Sequence, residues 1–136
     1  MAIPRIEHVN LTVRDPERAA AAMEKIFGWT IRWRGPARDG GRTIHIGSPN
    51  QYFALYTGKD AVYTDASFAK SQPLNHVGVE VDDIESTEAR VIAAGLTPFN
   101  HDGYVPGRRF YFFDSDGIEF EVVSYTETSP SSSPAQ

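Results

Sequence analysis

Apolar and polar residues alternate through the first segment of the chain. Val9, Leu11 and Val13 fall on one side, and Ile6, His8, Asn10 and Thr12 on the other. That two-residue period predicts a strand within 4–13. The period then changes. Asp15-Pro16-Glu17 offers an N-cap followed by proline at the first helical position, Ala19 to Phe27 reads as an alanine-rich helix, and Gly28 stops it. Short strands are expected at 29–33, 43–46 and 52–56. A turn is expected over 34–41, and Gly47-Ser48-Pro49-Asn50 marks another. A polar connection covers 58–73. The same order then returns: a strand over 74–81, a helix over 84–94 stopped by Gly95, and strands at 97–99, 109–113 and 118–125. Asp114-Ser115-Asp116-Gly117 is a hairpin signal between the last two, because Asp-Gly suits positive φ. Residues 126–136 are dominated by Ser, Pro and Thr and are expected to be disordered.

The recurrence reaches individual residues. Ile6-Glu7-His8-Val9 and its continuation match Leu74-Asn75-His76-Val77 at an offset of 68, with His, Val, Val and Asp in register. Gly28 maps to Gly95 at an offset of 67, and the same offset aligns Phe53-Ala54-Leu55 with Phe120-Glu121-Val122. One βαβββ unit is therefore used twice. The modules span 4–57 and 74–125, joined by the linker 58–73 in one domain over 1–125. The expected fold class is α+β, with the two modules forming a curved eight-stranded mixed sheet around a central cleft.

In such a sheet the first and fourth strands of each module supply the middle. The central positions are then His8, Ala54, His76 and Glu121. Two imidazoles and a carboxylate suit a borderline divalent ion with open coordination positions. The competing reading for each histidine alone is a packed residue bonded to backbone. The repeat-related pair together with Glu121 favours the metal.

Composition narrows the partners. The chain has 136 residues and a formal charge of −5, with no cysteine. An acidic chain lacks the basic face that phosphate neutralisation needs, so nucleic acid is not expected. Disulfides, thiolate ligands and cysteine nucleophiles are excluded. No apolar stretch has the length of a membrane span. The N-terminal Met1-Ala2-Ile3-Pro4-Arg5 lacks a signal-like apolar region. The expectation is a soluble cytoplasmic protein with a small-molecule substrate.

Ile6-Glu7-His8-Val9, Asn75-His76-Val77-Gly78-Val79 and Asp114-Ser115-Asp116-Gly117-Ile118-Glu119-Phe120-Glu121 resemble motifs of the vicinal oxygen chelate superfamily, over about 4–125. That superfamily includes glyoxalase I, extradiol dioxygenases, fosfomycin-resistance transferases and bleomycin-binding proteins. The resemblance carries metal binding onto His8, His76 and Glu121. It selects Glu121 over Glu119, because the ligand stands four residues after the turn glycine. Ser115 replaces the usual proline of that turn. The implied cofactor is a divalent ion: Fe, Mn, Zn, Ni or Co. The implied chemistry is chelation of two neighbouring substrate oxygens, with lyase, isomerase or dioxygenase outcomes. Glyoxalase I carries a second glutamate where this chain has Ala54, which can act neither as ligand nor as base. A homodimer is also implied. The rival expectation is a metal-free sequestration protein of the bleomycin-resistance kind, with an aromatic-lined cleft.

Other residues are candidates on the substrate side. Tyr52 and Tyr56 share the parity of Ala54, with core packing as the competing reading. Arg109, together with Tyr104 and Arg108, lies in or beside the loop 103–109 and could hold an anionic substrate group through a bidentate contact; surface charge is the competing reading. Asn10 and Gln51 could hydrogen-bond substrate. His45 and His101 have no evident partner. Trp29 and Trp33 read as core or dimer packing.

Overall fold

The computed structural model describes residues 5–68, 74–103 and 107–125. The expected tail, Tyr104 and the 69–73 part of the linker lie outside the described residues. The chain divides into two compact units, Met1–Thr64 and Asp65–Gln136. The first contains β1 (His8–Thr12), α1 (Pro16–Phe27), β2 (Thr30–Pro36), β3 (Arg42–Ser48) and β4 (Gln51–Thr57). Its sheet runs in the order β1-β4-β3-β2. β1 lies parallel to β4, and the other pairs are antiparallel. The second unit opens with a short 3-10 helix, Asp65–Phe68. It continues with β5 (Val77–Glu80), α2 (Ile84–Ala93), β6 (Phe99–Asp102), β7 (Gly107–Phe113) and β8 (Glu119–Tyr125). Its sheet order, β5-β8-β7-β6, repeats the first. The class is α+β: two four-stranded mixed sheets, each with one helix.

The caps work as the residues predict. The Asp15 side chain accepts from the Glu17 and Arg18 amides at the start of α1, and Gly28 ends the helix with φ 72°. Asp83 accepts from the Ser86 amide at the start of α2, and Gly95 turns the chain away with φ 85°. At the last hairpin Asp114 Oδ1 accepts from the amides of Asp116 and Ile118, both at 2.9 Å.

Each sheet has a helix face and an opposite face, set by strand alternation. Ala19, Ala20, Met23 and Ile26 of α1 are buried with Leu11, Ile44, Ile46 and Leu55. Ile84 and Val91 of α2 are buried with Phe110, Phe112, Phe120 and Val122. Phe112 and Phe120 stack at 5.1 Å. The opposite faces carry His8, Asn10, His45, Tyr52, Ala54 and Tyr56 in the first unit, and His76, Arg109, Tyr111 and Glu121 in the second.

The strand registers obey the sequence repeat. Val9 pairs with Phe53 and Asn10 with Ala54; Val77 pairs with Phe120 and Gly78 with Glu121. On the neighbouring strand His45 lies across from Ala54, and Tyr111 across from Glu121. Thr43 and Arg109 are likewise equivalent, facing Tyr56 and Val123.

β5 starts at Val77 and β7 at Gly107, against expected starts of 74 and 109, and two further boundaries differ for local reasons. β2 runs on through Arg34, Gly35 and Pro36, which pair with Ile44, Thr43 and Arg42. Proline is tolerated because β2 is an edge strand. Arg34 is also held by Glu17, with Nε and Nη2 both 3.1 Å from its carboxylate. β6 starts at Phe99 instead of ending there, because Pro98 has no amide to donate. Asn100 then takes φ 53° at the register shift between Phe99 and Asp102.

Candidate metal centre

His8 opens β1 and His76 stands immediately before β5, and each is held by the residue before it. His8 Nδ1 is 3.0 Å from Glu7 Oε1. His76 Nδ1 is 2.8 Å from Asn75 Oδ1. With Nδ1–H donated backwards, Nε2 of each ring is left as the lone-pair nitrogen. An imidazole whose other nitrogen is tied to an acceptor is how proteins fix a metal-binding tautomer. The sequence repeat located the histidines, but Glu7 and Asn75 passed unnoticed as their holders.

In the second unit, His76 Nε2 meets Glu121 Oε1 at 3.0 Å. Two acceptors at that distance need a proton or a cation between them. An imidazole nitrogen and a carboxylate oxygen are both donors that a divalent ion would accept. The observed pair therefore fits a metal. Glu121 is only 3% exposed, and Arg109 beside it 7%. Arg109 Nε stands 3.5 Å from Glu121 Oε2. Its Nε and Nη2 are buried with no hydrogen-bond partner among the described residues. Those two atoms form one edge of the guanidinium fork. Tyr111 completes the surroundings, its ring edge-on to His76 at 6.0 Å. Burial first, then the Glu121 charge, pushes the Tyr111 hydroxyl above its ordinary pKa, against the pull of Arg109.

The first unit places its candidates differently. Tyr52 lies between two imidazoles, stacked on His8 at 4.9 Å and on His45 at 4.6 Å. Arg32 sits 4.2 Å over the Tyr52 ring. Tyr52 thus contacts both imidazoles and the Arg32 guanidinium on this face. Tyr56 donates its hydroxyl to Asp39. That bond, first among the causes, holds the Asp39 carboxyl below its ordinary range and raises Tyr56. Ala54 is 3% exposed, as deeply placed as Glu121. Asn10 shares its face, and Gln51 is exposed at the start of β4.

The remaining candidates separate cleanly. Arg108 is a surface charge paired with Glu85 at 3.0 Å. His101 Nε2 pairs with Glu88 at 2.6 Å. Trp29 packs on Phe27 and Phe53, whereas Trp33 is 47% exposed beside His45. Arg109 is the residue whose surface reading fails, since it is buried against Glu121. Among the described residues, no three His, Cys, Asp or Glu side chains are gathered as a metal-holding group. No helix among them is long and apolar enough to cross a membrane.

A family model described as Glyoxalase/Bleomycin resistance protein/Dioxygenase superfamily matches residues 5–122. The chain belongs to this superfamily. Several solved structures share the fold. A glyoxylase/bleomycin resistance protein/dioxygenase domain from Frankia sp. EAN1pec has a TM-score of 0.72 at 21% identity, covering 94% of this chain and 96% of that one. The fosfomycin resistance protein FosX from Mesorhizobium loti has a TM-score of 0.70 at 24% identity, covering 96% and 98%. A mutant FosX from Listeria monocytogenes, complexed with Mn(II) and 1S,2S-dihydroxypropylphosphonic acid, has a TM-score of 0.72 at 17% identity, covering 96% and 98%. At these identities the likeness concerns the superfamily fold. No curated protein matches the chain significantly.

Proposed function

We propose that this superfamily member is a divalent-metal enzyme that takes a small substrate through two neighbouring oxygens. His8, His76 and Glu121 are the proposed ligands of the ion. The observation that carries the reading is the 3.0 Å approach of His76 Nε2 to Glu121 Oε1, with His76 Nδ1 already tied to Asn75. Mn(II), the ion in the similar FosX complex, is the first to test. When bound, such an ion supplies Lewis acidity to oxygens of the substrate.

The chain's own residues divide the remaining work. Arg109 faces Glu121 Oε2 and offers the compensating charge that a buried carboxylate needs. Its Nη2, buried with no hydrogen-bond partner among the described residues, is the donor proposed for an anionic substrate group. Tyr56 holds a proton against Asp39 at the far side of the first unit's sheet face. With alanine at 54, no carboxylate base is available there. The reaction is proposed as a glyoxalase-like lyase or isomerase step, or an extradiol dioxygenase-like one. A homodimer in the cytoplasm, with the two modules acting as one domain, is part of the same proposal.

Metal analysis of protein purified without chelator or affinity tag tests the reading. The expected result is near-stoichiometric Mn, Fe, Zn, Ni or Co, lost in His76→Ala and Glu121→Gln. Less than about a tenth of an ion per chain, with no uptake on addition, would leave the metal-free sequestration alternative in its place.

A further inference from the structure

Aspartate followed by glycine is a reactive step in a main chain, because no Cβ shields the next nitrogen from the aspartyl carboxyl. The chain contains that step at Asp39-Gly40, Asp102-Gly103 and Asp116-Gly117. The fold restrains the three unequally. At the first, Asp39 Oδ1 accepts from the Gly41 amide at 2.9 Å and Oδ2 from the Tyr56 hydroxyl. The Tyr56 bond first, and the Gly41 amide next, hold that carboxyl ionised and below its ordinary range. The Gly40 amide is donated to Ala37 O at 3.0 Å. At the third, Asp116 is 2% exposed, and the Gly117 amide is donated to Asp114 O at 3.0 Å.

Gly103 lies under no such restraint. Asp102 ends β6, the edge strand of its sheet. The ladder to β7 holds at Phe99–Tyr111 and Asp102–Arg109 and slips between them, where Asn100 takes φ 53°. Gly103 is exposed. A Cβ added there would meet nothing within 4 Å. Its amide is donated to no described residue. The nitrogen that must attack is therefore open at this step and tied at the other two.

We propose that Asp102-Gly103 is a site of self-modification, where aspartate converts to isoaspartate, and that Tyr56 guards Asp39-Gly40 against the same reaction. The Gly103 nitrogen attacks Asp102 Cγ, and an N–C bond forms as a C–O bond of the carboxyl breaks. The amide proton and the carboxyl proton leave with that oxygen as water, and a cyclic imide results. Water then opens the imide at either carbonyl. One opening restores aspartate, and the other leads the main chain through the side-chain carbon. Nothing is oxidised or reduced. The neutral carboxyl is the reactive form, because it sheds water where a carboxylate would have to shed oxide. Isoaspartate lengthens the main chain at the residue paired with Arg109 and frees a new α-carboxylate. The proposal does not depend on the metal centre.

The test uses the full chain, kept warm at mildly acidic pH for several weeks. Its peptides are then sequenced by electron-transfer fragmentation, which distinguishes the two backbones. Isoaspartate should accumulate at Asp102 at least about tenfold faster than at Asp39 or Asp116, where hydrogen bonds must break first. In urea the three rates should converge, because the dipeptide alone then sets them. Tyr56→Phe, with its fold verified by circular dichroism, should speed the reaction at Asp39 about tenfold and leave Asp116 unchanged. Gly103→Ala should slow the reaction at Asp102 and leave Asp39 and Asp116 as they were. Equal rates at the three sites in the native chain overturn the modification site. So does isoaspartate that forms at Asp102 in urea and not in the folded protein. An unchanged Asp39 rate in Tyr56→Phe overturns the guard.

Discussion

Replacing Arg109 by methionine removes the positive partner of a carboxylate that is 3% exposed. At the observed 3.5 Å, with an effective dielectric of about 20, the Coulomb attraction is about 5 kcal/mol before desolvation is counted. Removing one member of a buried pair typically costs ~3–5 kcal/mol, because the survivor is stranded. Glu121 keeps His76 at 3.0 Å after the substitution, so the lower end applies and a loss of ~3 kcal/mol is expected. Glu121→Leu should be similarly damaging, since it strands the guanidinium. The double variant should recover most of the loss, because apolar groups of similar size replace both charges at little net cost. Urea unfolding of the four proteins, compared at equal m-value, measures the coupling. If Arg109→Met costs less than ~1 kcal/mol, or if the two single losses simply add, the reasoning about this pair is refuted.

Gly28→Ala should destabilise α1 by ~1 kcal/mol, because φ 72° suits glycine and penalises a Cβ; thermal unfolding reads this directly. Asn75→Ala should weaken Mn²⁺ binding about ten- to a hundredfold by freeing the His76 ring, with the fold intact by circular dichroism; calorimetric titration checks it. Tyr56→Phe should raise the Asp39 pKa toward its ordinary value, since the lost hydrogen bond is the first cause of its depression. The sign follows from linkage. A depressed carboxyl stabilises the fold above its unfolded pKa and loses that contribution as pH falls through the folded value, so the variant should lose less stability on acidification. An NMR titration that finds Asp39 unmoved contradicts this.

Much of this molecule could be read before any coordinates. The repeat predicted which strand positions correspond, and the registers Val9–Phe53 and Val77–Phe120 follow it. Caps were legible because Asp15, Gly28 and Gly95 act through their own backbone neighbourhood. What escaped depends on long-range placement. Arg34, Gly35 and Pro36 have the composition of a turn and became strand because β3 offered a ladder. Arg109 looks like its neighbour Arg108 in sequence, yet alternation on β7 sends one to solvent and the other against Glu121. The placement of His45 across from Ala54 emerges only from the strand register. Joining His8 to His76 and Glu121 remains the metal-centre proposal, argued from the repeat.

The equivalence of Thr43 with Arg109 and of Ala54 with Glu121 has a consequence for how such a protein could change. All four are buried to a similar degree, yet one copy of the duplicated unit is hollow there and the other is charged. Substitutions lining the hollow copy would alter shape while leaving the ion pair untouched, so a mutational library should find altered ligand preference around 33–56. In the charged copy the same depth of change would strand an ion and cost stability. Duplication has split tolerance to mutation unevenly, giving one half freedom to explore ligands while the other half keeps the protein viable.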